Sequence, residues 1–401
     1  MRLLLVSQHY PPRINGFALQ CADTARGLRK RGHEVCVLTG QDKGTRPEED
    51  IGVLRLLTVS PTEDFKSLKP TYLLRQVRRR RIFEKNAKAT LESARKFSPD
   101  VAFVWQFNAL GFGVLRELQR LGAPIVLNVG DTVLCDLMLL LKGDPHLLWR
   151  IARRYLYRVR FENIRFAHLI MVSEALKSYY GRCGFDEQQM TVVHNGIDCR
   201  HIKTNPPPLG QGNRLLYAGR LHPTKGVETA IEAMALLSSS TAESYTLDII
   251  GEGSPEYVRQ LESRVQLLRL KRFIRFLGPR TRDVLLKLYA EYDILLFPSV
   301  YLEPFGLTLV EAMSQGISVV ASDRGGPREI IRHMRDGLLV EPGNPSAFAE
   351  AVRLLAHDPA LRSRIAAEGL QRVKDRFTLE RHLQGTEAVL LGALAGATAG
   401  S

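Results

Sequence analysis

Two glutamates, Glu303 and Glu311, lie close together in the stretch YLEPFGLTLVEAMSQG, which spans residues 301–316. A proline and a glycine after the first glutamate predict a loop, and the apolar run that follows predicts a helix beginning near Leu307. The first N–H groups of a helix are free and its dipole is positive there, which suits a phosphate. Carboxylates repel phosphate but accept hydrogen bonds from neutral hydroxyl groups. The pattern therefore predicts a phosphate at the helix start with hydroxyl groups beside it. The alternative is two surface glutamates around a helix start.

Two cations lie in the loop GRLHPTKG, residues 219–226, which follows the apolar run RLLYA. Gly219 allows the backbone to turn sharply, and Arg220 and Lys225 then stand on one short loop. Two cations near a strand end suit a diphosphate, whose negative charges must be neutralised. A solvated loop with ordinary surface cations is an equally open interpretation of this loop alone.

Two more glycine-containing loops follow apolar runs in the same half of the chain. GEGSPEY places Gly251, Glu252 and Gly253 after YTLDII, and RGGPREI places two glycines after ISVVASD. Glycine permits close approach of the backbone to another group. A lone GxG is weak evidence, and a plain strand-to-helix turn explains it as well. Four such loops at corresponding strand ends, however, together indicate one ligand site.

Short apolar runs alternate with helix-length amphipathic stretches along the chain, which indicates parallel α/β sheets with helical crossovers. The segment DCRHIKTNPPPLGQGNR, residues 198–214, contains three consecutive prolines and predicts a linker. We therefore expect one domain over residues 1–200, completed by a C-terminal helix over 378–395, and a second over 201–377. Ligands of such sheets bind beyond the carboxyl ends of the strands, so the cleft between the domains is the natural site. Strands are predicted at RLLLVSQ, HEVCVLTG, VAFVWQ, PIVLNVG, HLIMVS, MTVVHN, RLLYAGR, YTLDIIGEG, RFIRFLG, YDILLFPS, ISVVASD and GLLVEP.

The composition, 45% hydrophobic and 24% charged over 401 residues, is that of a soluble globular protein long enough for two domains. The five cysteines have no close pairing, which favours buried free thiols in a reducing compartment over disulfides or a metal site. No apolar run approaches the roughly 20 residues of a membrane span. The opening MRLLLVSQHYPP predicts a first strand rather than a signal peptide. We therefore expect a cytoplasmic protein.

The ordered set GRLHPTKG, EPFGLTLVEAMSQG, VVASDRGGPREI and DGLLVEPGN resembles the retaining nucleotide-sugar glycosyltransferases of family 4, which have the GT-B fold. The resemblance covers most of the second domain and is highly specific there. The first domain resembles the family more loosely, through SQHYPPRINGFALQCADTARGLRKRGHEVCVLTG, VSEALKSYYGRCG and VVHNGID. The implied fold is α/β, with two Rossmann-like domains whose parallel sheets face a central cleft and a C-terminal helix that crosses back to the first domain. The first domain would bind the acceptor, and the second would bind the nucleotide-sugar donor.

The resemblance also implies roles for individual residues. Arg220 and Lys225 would hold the donor diphosphate. Glu311 would bind the ribose hydroxyls of the nucleotide, and Glu303 would contact hydroxyls of the donor sugar. The backbone at the start of the predicted helix would meet the distal phosphate. The other residues expected around the donor are Gly16, Gly219, Gly251, Glu252, Gly253, Phe305, Gly306, Leu307 and Thr308.

The first domain departs from the family pattern at two points. The Gly-Gly loop of many members reads Asn15-Gly16 here, which keeps the second glycine, and asparagine tolerates positive φ better than most residues. Many members also place a histidine after the strand that here reads PIVLNVG, where this chain has Gly130 followed by Asp131. We expect Asp131 to contact acceptor or sugar hydroxyls, and capping of the next helix is an equally open alternative.

The reaction implied by the resemblance moves a sugar from a nucleotide diphosphate to an acceptor hydroxyl, with retention at the anomeric carbon, in cell-envelope, polysaccharide or glycolipid synthesis. The cations and the helix start would stabilise the leaving diphosphate, so we expect no metal and no cofactor. Glycan, lipid-linked and small-molecule acceptors all stay open, and no recognition module for nucleic acid is apparent. The main alternative is a catalytically inactive sugar-nucleotide-binding subunit, which the missing histidine keeps open. Epimerases of the same fold carry different motifs.

The formal net charge of +14 is concentrated in the first half of the chain. Residues 1–200 hold 32 Lys+Arg against 20 Asp+Glu, a balance of +12, and residues 201–401 hold 24 against 22, a balance of +2. Residues 66–96 hold 11 cations and two glutamates with apolar residues at roughly helical spacing, and residues 150–165 hold six Arg and one Glu. A basic amphipathic helix is typical of a membrane-surface element, so we expect peripheral attachment of the first domain to the anionic inner face of a membrane. The alternative for either segment is a core-packing helix with a solvated basic face.

Overall fold

The computed structural model describes most of the chain, and for residues 70–77 and 399 it describes the backbone alone. The described residues are 1–12, 16–41, 52–60, 70–136, 164–207, 210–238 and 244–399. The chain forms two compact units, Met1–His194 with His382–Ser401 and Asn195–Arg381.

A parallel sheet of seven strands is the centre of the first unit in its described part. Its strands are β1 (Arg2–Ser7), β2 (Glu34–Gly40), β3 (Val53–Leu57), β4 (Val101–Gln106), β5 (Ile125–Val129), β6 (His168–Met171) and β7 (Met190–Val192). They lie in the order β3-β2-β1-β4-β5-β6-β7, with parallel pairing throughout. The helices of this part of the chain are α1 (Gly16–Lys30), α2 (Pro70–Phe97), α3 (Gly113–Arg120) and α4 (Glu174–Arg182). The inner strands are buried along almost their whole length, as expected where helices cover both faces of a sheet.

Helix α2 contains the described part of the basic segment 66–96. Its buried residues Asn86, Ala87, Thr90 and Ala94 face the fold, and the Asn86 side chain donates to the carbonyl of Thr58 at 2.9 Å. The cations Arg78, Arg80, Arg81, Lys85 and Lys88 are exposed. One face of α2 therefore packs into the unit and the other presents positive charge to solvent. Most of the second basic segment, 150–165, lies outside the described residues.

The second unit contains a parallel sheet of six strands in the described residues, in the order β10-β9-β8-β11-β12-β13. These strands are β8 (Arg214–Ala218), β9 (Thr246–Ile250), β10 (Ile274–Gly278), β11 (Ile294–Phe297), β12 (Ser318–Ser322) and β13 (Leu338–Val340). The helices are α5 (Val227–Ser238), α6 (Pro255–Leu267), α7 (Arg282–Leu288), α8 (Leu307–Ser314), α9 (Pro327–Ile330), α10 (Pro345–His357) and α11 (Pro359–Arg376). The chain runs outward from β8 through β10 and then returns to β11, so the strand order reverses between β8 and β11. Loops that follow the two strands at such a reversal diverge and leave a crevice for a ligand.

The C-terminal helix, α12 (Leu379–Ala399), returns to the first unit from His382 onward. Gly27 of α1 leaves room for it, since a Cβ at that position would lie 2.3 Å from a methyl carbon of Leu383. Glu387 accepts a hydrogen bond from the guanidinium of Arg31 and lies 2.6 Å from Nε2 of His33. The predicted return of this helix is therefore confirmed, together with the two parallel α/β domains.

The five cysteines only partly match the expectation of buried thiols. Cys21, Cys36, Cys135 and Cys183 are buried and free, but Cys199 is exposed. Cys199 opens a short 3₁₀ turn in the predicted linker, where little of the chain covers it.

Within the described residues, no helix combines the length and the apolar character that crossing a membrane requires.

Candidate functional site

The loops after β8 and β11 meet at the reversal of strand order in the second unit. The carbonyl of Thr224, in the loop after β8, accepts hydrogen bonds from the N–H of Val300 at 3.0 Å and from the hydroxyl of Ser299 at 3.2 Å. Gly226 makes this contact possible, because its φ is +65° and a Cβ there would lie 2.0 Å from the carbonyl oxygen of Pro298. The two loops predicted to carry a ligand site are thus joined directly.

Lys225 and Glu303 form an ion pair across these two loops. Nζ of Lys225 lies 2.6 Å from Oε2 of Glu303, and the Ser299 hydroxyl lies 3.1 Å from the same oxygen. The lysine side chain is 22% exposed and the glutamate side chain 10%, so water screens the pair poorly. A cation predicted to hold phosphate and a carboxylate predicted to hold sugar hydroxyls therefore stand in direct contact.

Three glycines of the predicted strand-end loops, of which Gly251 was expected beside the donor, pack closely against the backbone of a neighbouring loop. A Cβ on Gly251 would lie 1.8 Å from the carbonyl oxygen of Gly219. In the loop after β12, a Cβ on Gly325 would lie 2.4 Å from the Glu303 carbonyl oxygen, and one on Gly326 would lie 2.3 Å from that of Phe305. Loop packing alone accounts for glycine at these positions, and this packing holds the backbone of the Glu303 loop in place.

Helix α8 starts where the sequence predicts, at Leu307, and its first turn has no side-chain cap. The preceding residue, Gly306, has φ +114° and makes no side-chain cap. Its carbonyl accepts from the N–H groups of Leu309 and Val310, at 3.0 and 3.4 Å. The N–H groups of Leu307 and Thr308 precede this turn, at the positive end of the helix. They have the position that an anion site at the helix start requires.

Glu311 lies in the second turn of α8 and is 7% exposed. Its Oε1 lies 3.0 Å from Nε of Arg282, the first residue of α7. Both predicted carboxylates are therefore paired with a cation, Glu303 with Lys225 and Glu311 with Arg282. Arg282 was not predicted from the sequence, although it follows the predicted strand RFIRFLG and so stands at a fifth strand end of the same sheet.

Tyr217 is a second residue that the motifs did not reveal. It is buried in β8, and its hydroxyl donates to the carbonyl of Arg220 at 2.9 Å. Burial and the nearby Glu303 carboxylate raise the pKa of Tyr217, so the phenol stays protonated and keeps donating. It supports the backbone of the loop from which Arg220 projects.

A surface pocket of about 490 Å³ lies beside Arg220, between the loop after β8 and the start of α6. Its lining includes Arg220, His222, Glu252, Gly253, Glu256 and Tyr257. The N–H of Leu221 donates to the carbonyl of Glu252 at 2.7 Å, which ties the two walls together. Three residues expected around the donor, Arg220, Glu252 and Gly253, thus line one pocket.

Gly16 and Asp131 belong to the first unit. Gly16 is exposed at the first residue of α1, and Asn15 lies outside the described residues. One carboxylate oxygen of Asp131 accepts from the N–H of Val133 at 3.0 Å, which is the capping interaction that the sequence left open. Burial raises the pKa of Asp131, and this hydrogen bond opposes the rise.

Phe17 occupies the space beside Gly130, where many relatives carry a histidine. A Cβ on Gly130 would lie 2.0 Å from Cε2 of the Phe17 ring. That ring packs edge-on against Trp105, with centroids 5.1 Å apart. The missing histidine is therefore matched by an aromatic ring from α1, which leaves no room for a side chain at position 130.

Replacing Gly130 with alanine is expected to lower the free energy of unfolding by about 1–3 kcal/mol, because the new methyl group overlaps a ring that Trp105 holds in place. Phe17→Ala removes the overlapping ring, so adding the glycine substitution to Phe17→Ala should cost little more. Urea unfolding of the four proteins of this double-mutant cycle measures the coupling. Equal effects of Gly130→Ala with and without the ring would show that Phe17 does not set the requirement for glycine.

In the residues that the structure describes, no group of three or more His, Cys, Asp or Glu side chains is placed to hold a metal ion.

Two family models match the chain, one on each half. The model of Glycosyltransferase Family 4 matches residues 14–201, and the model of glycosyl transferases group 1 matches residues 201–372. Together the two matches take in most of both units.

Relatives and solved structures with similar folds match nearly the whole chain. An uncharacterized glycosyltransferase of Methanocaldococcus jannaschii is 29% identical over 396 residues, covering 94% of this chain and 95% of the relative. A glycogen synthase of Mycobacterium tuberculosis is 28% identical over 411 residues, covering 99% and 96%. The crystal structure of Anabaena HepE in complex with UDP and glucose is 23% identical, with a TM-score of 0.74, and the match covers 98% of this chain and all 100% of that one. Taken with the two parallel α/β units, these matches confirm the GT-B fold and show that the chain belongs to the family 4-type glycosyltransferases.

Proposed function

We propose that this protein transfers a sugar from a nucleoside-diphosphate sugar to an acceptor hydroxyl, with retention at the anomeric carbon and without a metal ion. The observation that carries the proposal is the Lys225–Glu303 contact at 2.6 Å, next to a helix start that no side chain caps. A phosphate-binding cation, a hydroxyl-binding carboxylate and free N–H groups are the groups that a sugar diphosphate requires. They converge on one pair of loops in the second unit.

Each of these groups has a separate task in the proposed reaction. The bond between the anomeric carbon and the diphosphate oxygen breaks, and its electron pair goes to the diphosphate. Arg220, Lys225 and the start of α8 stabilise the charge that develops there. The acceptor oxygen bonds to the anomeric carbon on the same face, and its proton passes to an oxygen of the leaving phosphate. No protein base is then required, so the absence of a histidine at Gly130 is compatible with activity.

UDP is the first nucleotide to test. The Anabaena HepE structures contain UDP, UDP with glucose, and UDP-glucose. The ribose end of such a donor would meet Glu311, and the sugar end would meet Glu303. Acceptors of three kinds, glycans, lipid-linked sugars and small molecules, fit the proposal, with cell-envelope, polysaccharide or glycolipid synthesis as the setting.

Binding and slow hydrolysis of nucleotide sugars test the proposal without an acceptor. Calorimetry with UDP-, GDP- and ADP-sugars should find one nucleotide that binds well, and prolonged incubation should release the free sugar. Arg220→Ala or Lys225→Ala should weaken binding of the diphosphate by about 1.5–3 kcal/mol and binding of the matching nucleoside far less. Equal losses for both ligands would contradict the assignment of these cations. Binding without hydrolysis or transfer to any acceptor would favour an inactive sugar-nucleotide-binding subunit.

We further propose that the first unit attaches peripherally to an anionic membrane through charge alone. Among residues 78–97 of α2, the buried side chains Ala87 and Ala94 pack into the unit, and the exposed cations remain for the membrane. Each cation near an anionic surface contributes about 1 kcal/mol, and salt weakens the attraction within a Debye length. Attachment of this kind depends steeply on salt.

Sedimentation with vesicles that contain anionic lipid should carry the protein down at low salt and release it as salt is added. Changing residues 78–81, four arginines in α2, to glutamine should abolish most of the binding, because it removes four neighbouring cations, three of which are exposed. The matched control changes four exposed cations of the second unit to glutamine, namely Arg259, Arg269, Lys271 and Arg272. Equal losses in both variants would point to net charge rather than to α2, and no binding at low salt would contradict the membrane proposal.

A further inference from the structure

The contact between Arg282 and Glu311 is nearly shielded from water. The arginine side chain is 13% exposed and the glutamate side chain 10%, with Nε and Oε1 3.0 Å apart. Arg282 is the first residue of α7, and Glu311 lies on α8, so two separate helices bring the pair together. A carboxylate this buried depends on its partner, because an uncompensated charge in such a place is strongly unfavourable.

Tyr289 shows that a fully buried side chain lies near this pair. It is 0% exposed, and its hydroxyl has no hydrogen-bond partner among the described residues. Burial and the charge of Glu311 raise the pKa of Tyr289, and the charge of Arg282 opposes the rise. The phenol is therefore neutral and lies within electrostatic range of both charged groups. The guanidinium, 3.0 Å from the carboxylate, is then the charged group that limits where the Glu311 side chain can lie.

The ion pair between Asp248 and Arg275, also in the second unit, lies in a different structural setting. Asp248 is 3% exposed and holds Arg275 through two hydrogen bonds, at 2.7 and 2.6 Å, while the hydroxyl of Tyr292 donates to it at 2.7 Å. That carboxylate lies within β9, and its pair joins β9 to β10. Glu311 instead follows the helix start that we assign to the phosphate, at the end of the site that we assign to the ribose.

We propose that Arg282 is a positioning residue that sets the selectivity of the donor site for ribose hydroxyls through Glu311. The inference rests on the proposed function, in which Glu311 binds those hydroxyls. With Arg282 in place, the carboxylate keeps one orientation toward the ligand. Without it, the carboxylate loses its fixed geometry, and the site loses its ability to distinguish a ribose from a sugar without hydroxyls.

The test compares calorimetric affinities for UDP and 2′,3′-dideoxy-UDP in the full-length protein. The unmodified protein should prefer UDP on the order of 10- to 100-fold, as expected for hydrogen bonds to a charged group. Arg282→Met should reduce this preference to within about three-fold while binding of the dideoxy ligand changes little, and Arg282→Lys, which keeps the charge but lacks the planar guanidinium, should restore only part of it. The double variant Arg282→Met/Glu311→Gln should be no less selective than Glu311→Gln alone. Arg275→Met, which removes an arginine from a buried carboxylate elsewhere in the sheet, should keep the full preference.

The possible results distinguish a failure of this inference from a failure of the proposed function. If the unmodified protein binds none of UDP, GDP and ADP, or if Glu311→Gln keeps the full preference for the ribose form, the proposed assignment of the site is wrong and the inference fails with it. If GDP or ADP binds and UDP does not, the same comparison is made with that nucleotide and its 2′,3′-dideoxy form. If Glu311→Gln loses the preference but Arg282→Met keeps it, only the inference is overturned. An equal loss of both ligands in Arg282→Met would indicate a merely structural role and would also overturn it. Arg282→Gln, which retains hydrogen-bond donors, is measured in the same way should the methionine variant fail to fold.

Discussion

Replacing Glu303 with glutamine is expected to lower sugar transfer by about 10²–10³-fold while the affinity for the bare nucleoside diphosphate stays unchanged or rises. This decrease in the transfer rate is the one expected when a single preorganised polar group is lost from a reacting centre. Glutamine keeps the shape of the side chain and one oxygen for the Ser299 hydroxyl, which lies 3.1 Å from Oε2. It removes the negative charge that now stands 2.6 Å from Nζ of Lys225. A lysine released from its carboxylate has its full charge available for a diphosphate, whereas the sugar loses the group expected to hold its hydroxyls.

Calorimetry with UDP and transfer or hydrolysis rates with the best nucleotide sugar measure the two effects separately. Glu311→Gln is the matched control, because it makes the same chemical change to the other buried carboxylate of the site. It should weaken even the bare nucleotide, since Glu311 is assigned to the ribose. If both variants weaken the bare nucleotide equally, the division of tasks between the two glutamates is wrong. If Glu303→Gln weakens it while Glu311→Gln does not, the two assignments are reversed.

The elements that position this site could be predicted because each buried strand is a nearly continuous apolar run. Twelve of the thirteen described strands were predicted in this way, and so was the start of α8 at Leu307. The exception is β3, with the sequence VLRLL, which lies at the edge of its sheet and alternates between half-buried and exposed residues. The arginine within β3 breaks the apolar run, so the pattern of a buried strand is absent from its sequence.

The side-chain pairs of the site could not be predicted in the same way. Lys225 and Glu303 are 78 residues apart in the chain, and their contact depends on the reversal of strand order between β8 and β11. Ligands bind beyond the carboxyl ends of parallel strands, and this rule places both loops at one edge of the sheet. It does not predict which cation contacts which carboxylate. Arg282 could have been found by applying the same rule to the loop after β10. Its pairing with Glu311 still required the packing of α7 beside α8.

The space beside Gly130 is a second feature that could not be predicted from the sequence. When the sequence is compared with the family pattern, the missing histidine suggests a lost site residue. It therefore left an inactive protein open as an alternative. In the structure, Phe17 fills the same space from another element. This steric contact involves two residues far apart in the chain, so it is visible only when the distance between them is known.

The stability of the first unit is expected to fall by about 3 kcal/mol as the pH drops from 7 to 4, because of His382. This histidine is 1% exposed, and burial lowers its pKa from 6.5 to about 4. Its Nδ1 lies 2.9 Å from the backbone carbonyl of His194, which can only accept, so Nδ1 carries the proton of the neutral ring. Nε2 lies 3.0 Å from Oγ1 of Thr24. The nearby carboxylate of Asp23 and the His194 carbonyl favour the charged ring, but burial outweighs them.

The sign of this pH dependence follows from whether the folded or the unfolded chain binds the proton. Above pH 6.5 the ring is neutral in the folded and unfolded chains, so the full stability is present. Between pH 6.5 and about 4 the unfolded chain takes up a proton that the folded chain does not, and stability is lost as the pH falls. The difference between the unfolded pKa of 6.5 and the folded pKa of about 4 corresponds to about 3 kcal/mol of stability.

Urea unfolding followed by tryptophan fluorescence measures this loss in the unit concerned, because both tryptophans of the chain, Trp105 and Trp149, fall within residues 1–194. The His382→Gln variant should lose about 3 kcal/mol less between pH 7 and pH 4 than the unmodified protein, since glutamine does not titrate. The difference between the two proteins removes the contributions of other groups, such as Glu387, whose pKa its partners His33 and Arg31 lower. His333→Gln, which changes an exposed histidine, should follow the unmodified protein. If the His382→Gln variant shows the same pH dependence as the unmodified protein, the buried ring does not stay neutral through this range, and another group causes the loss of stability in acid.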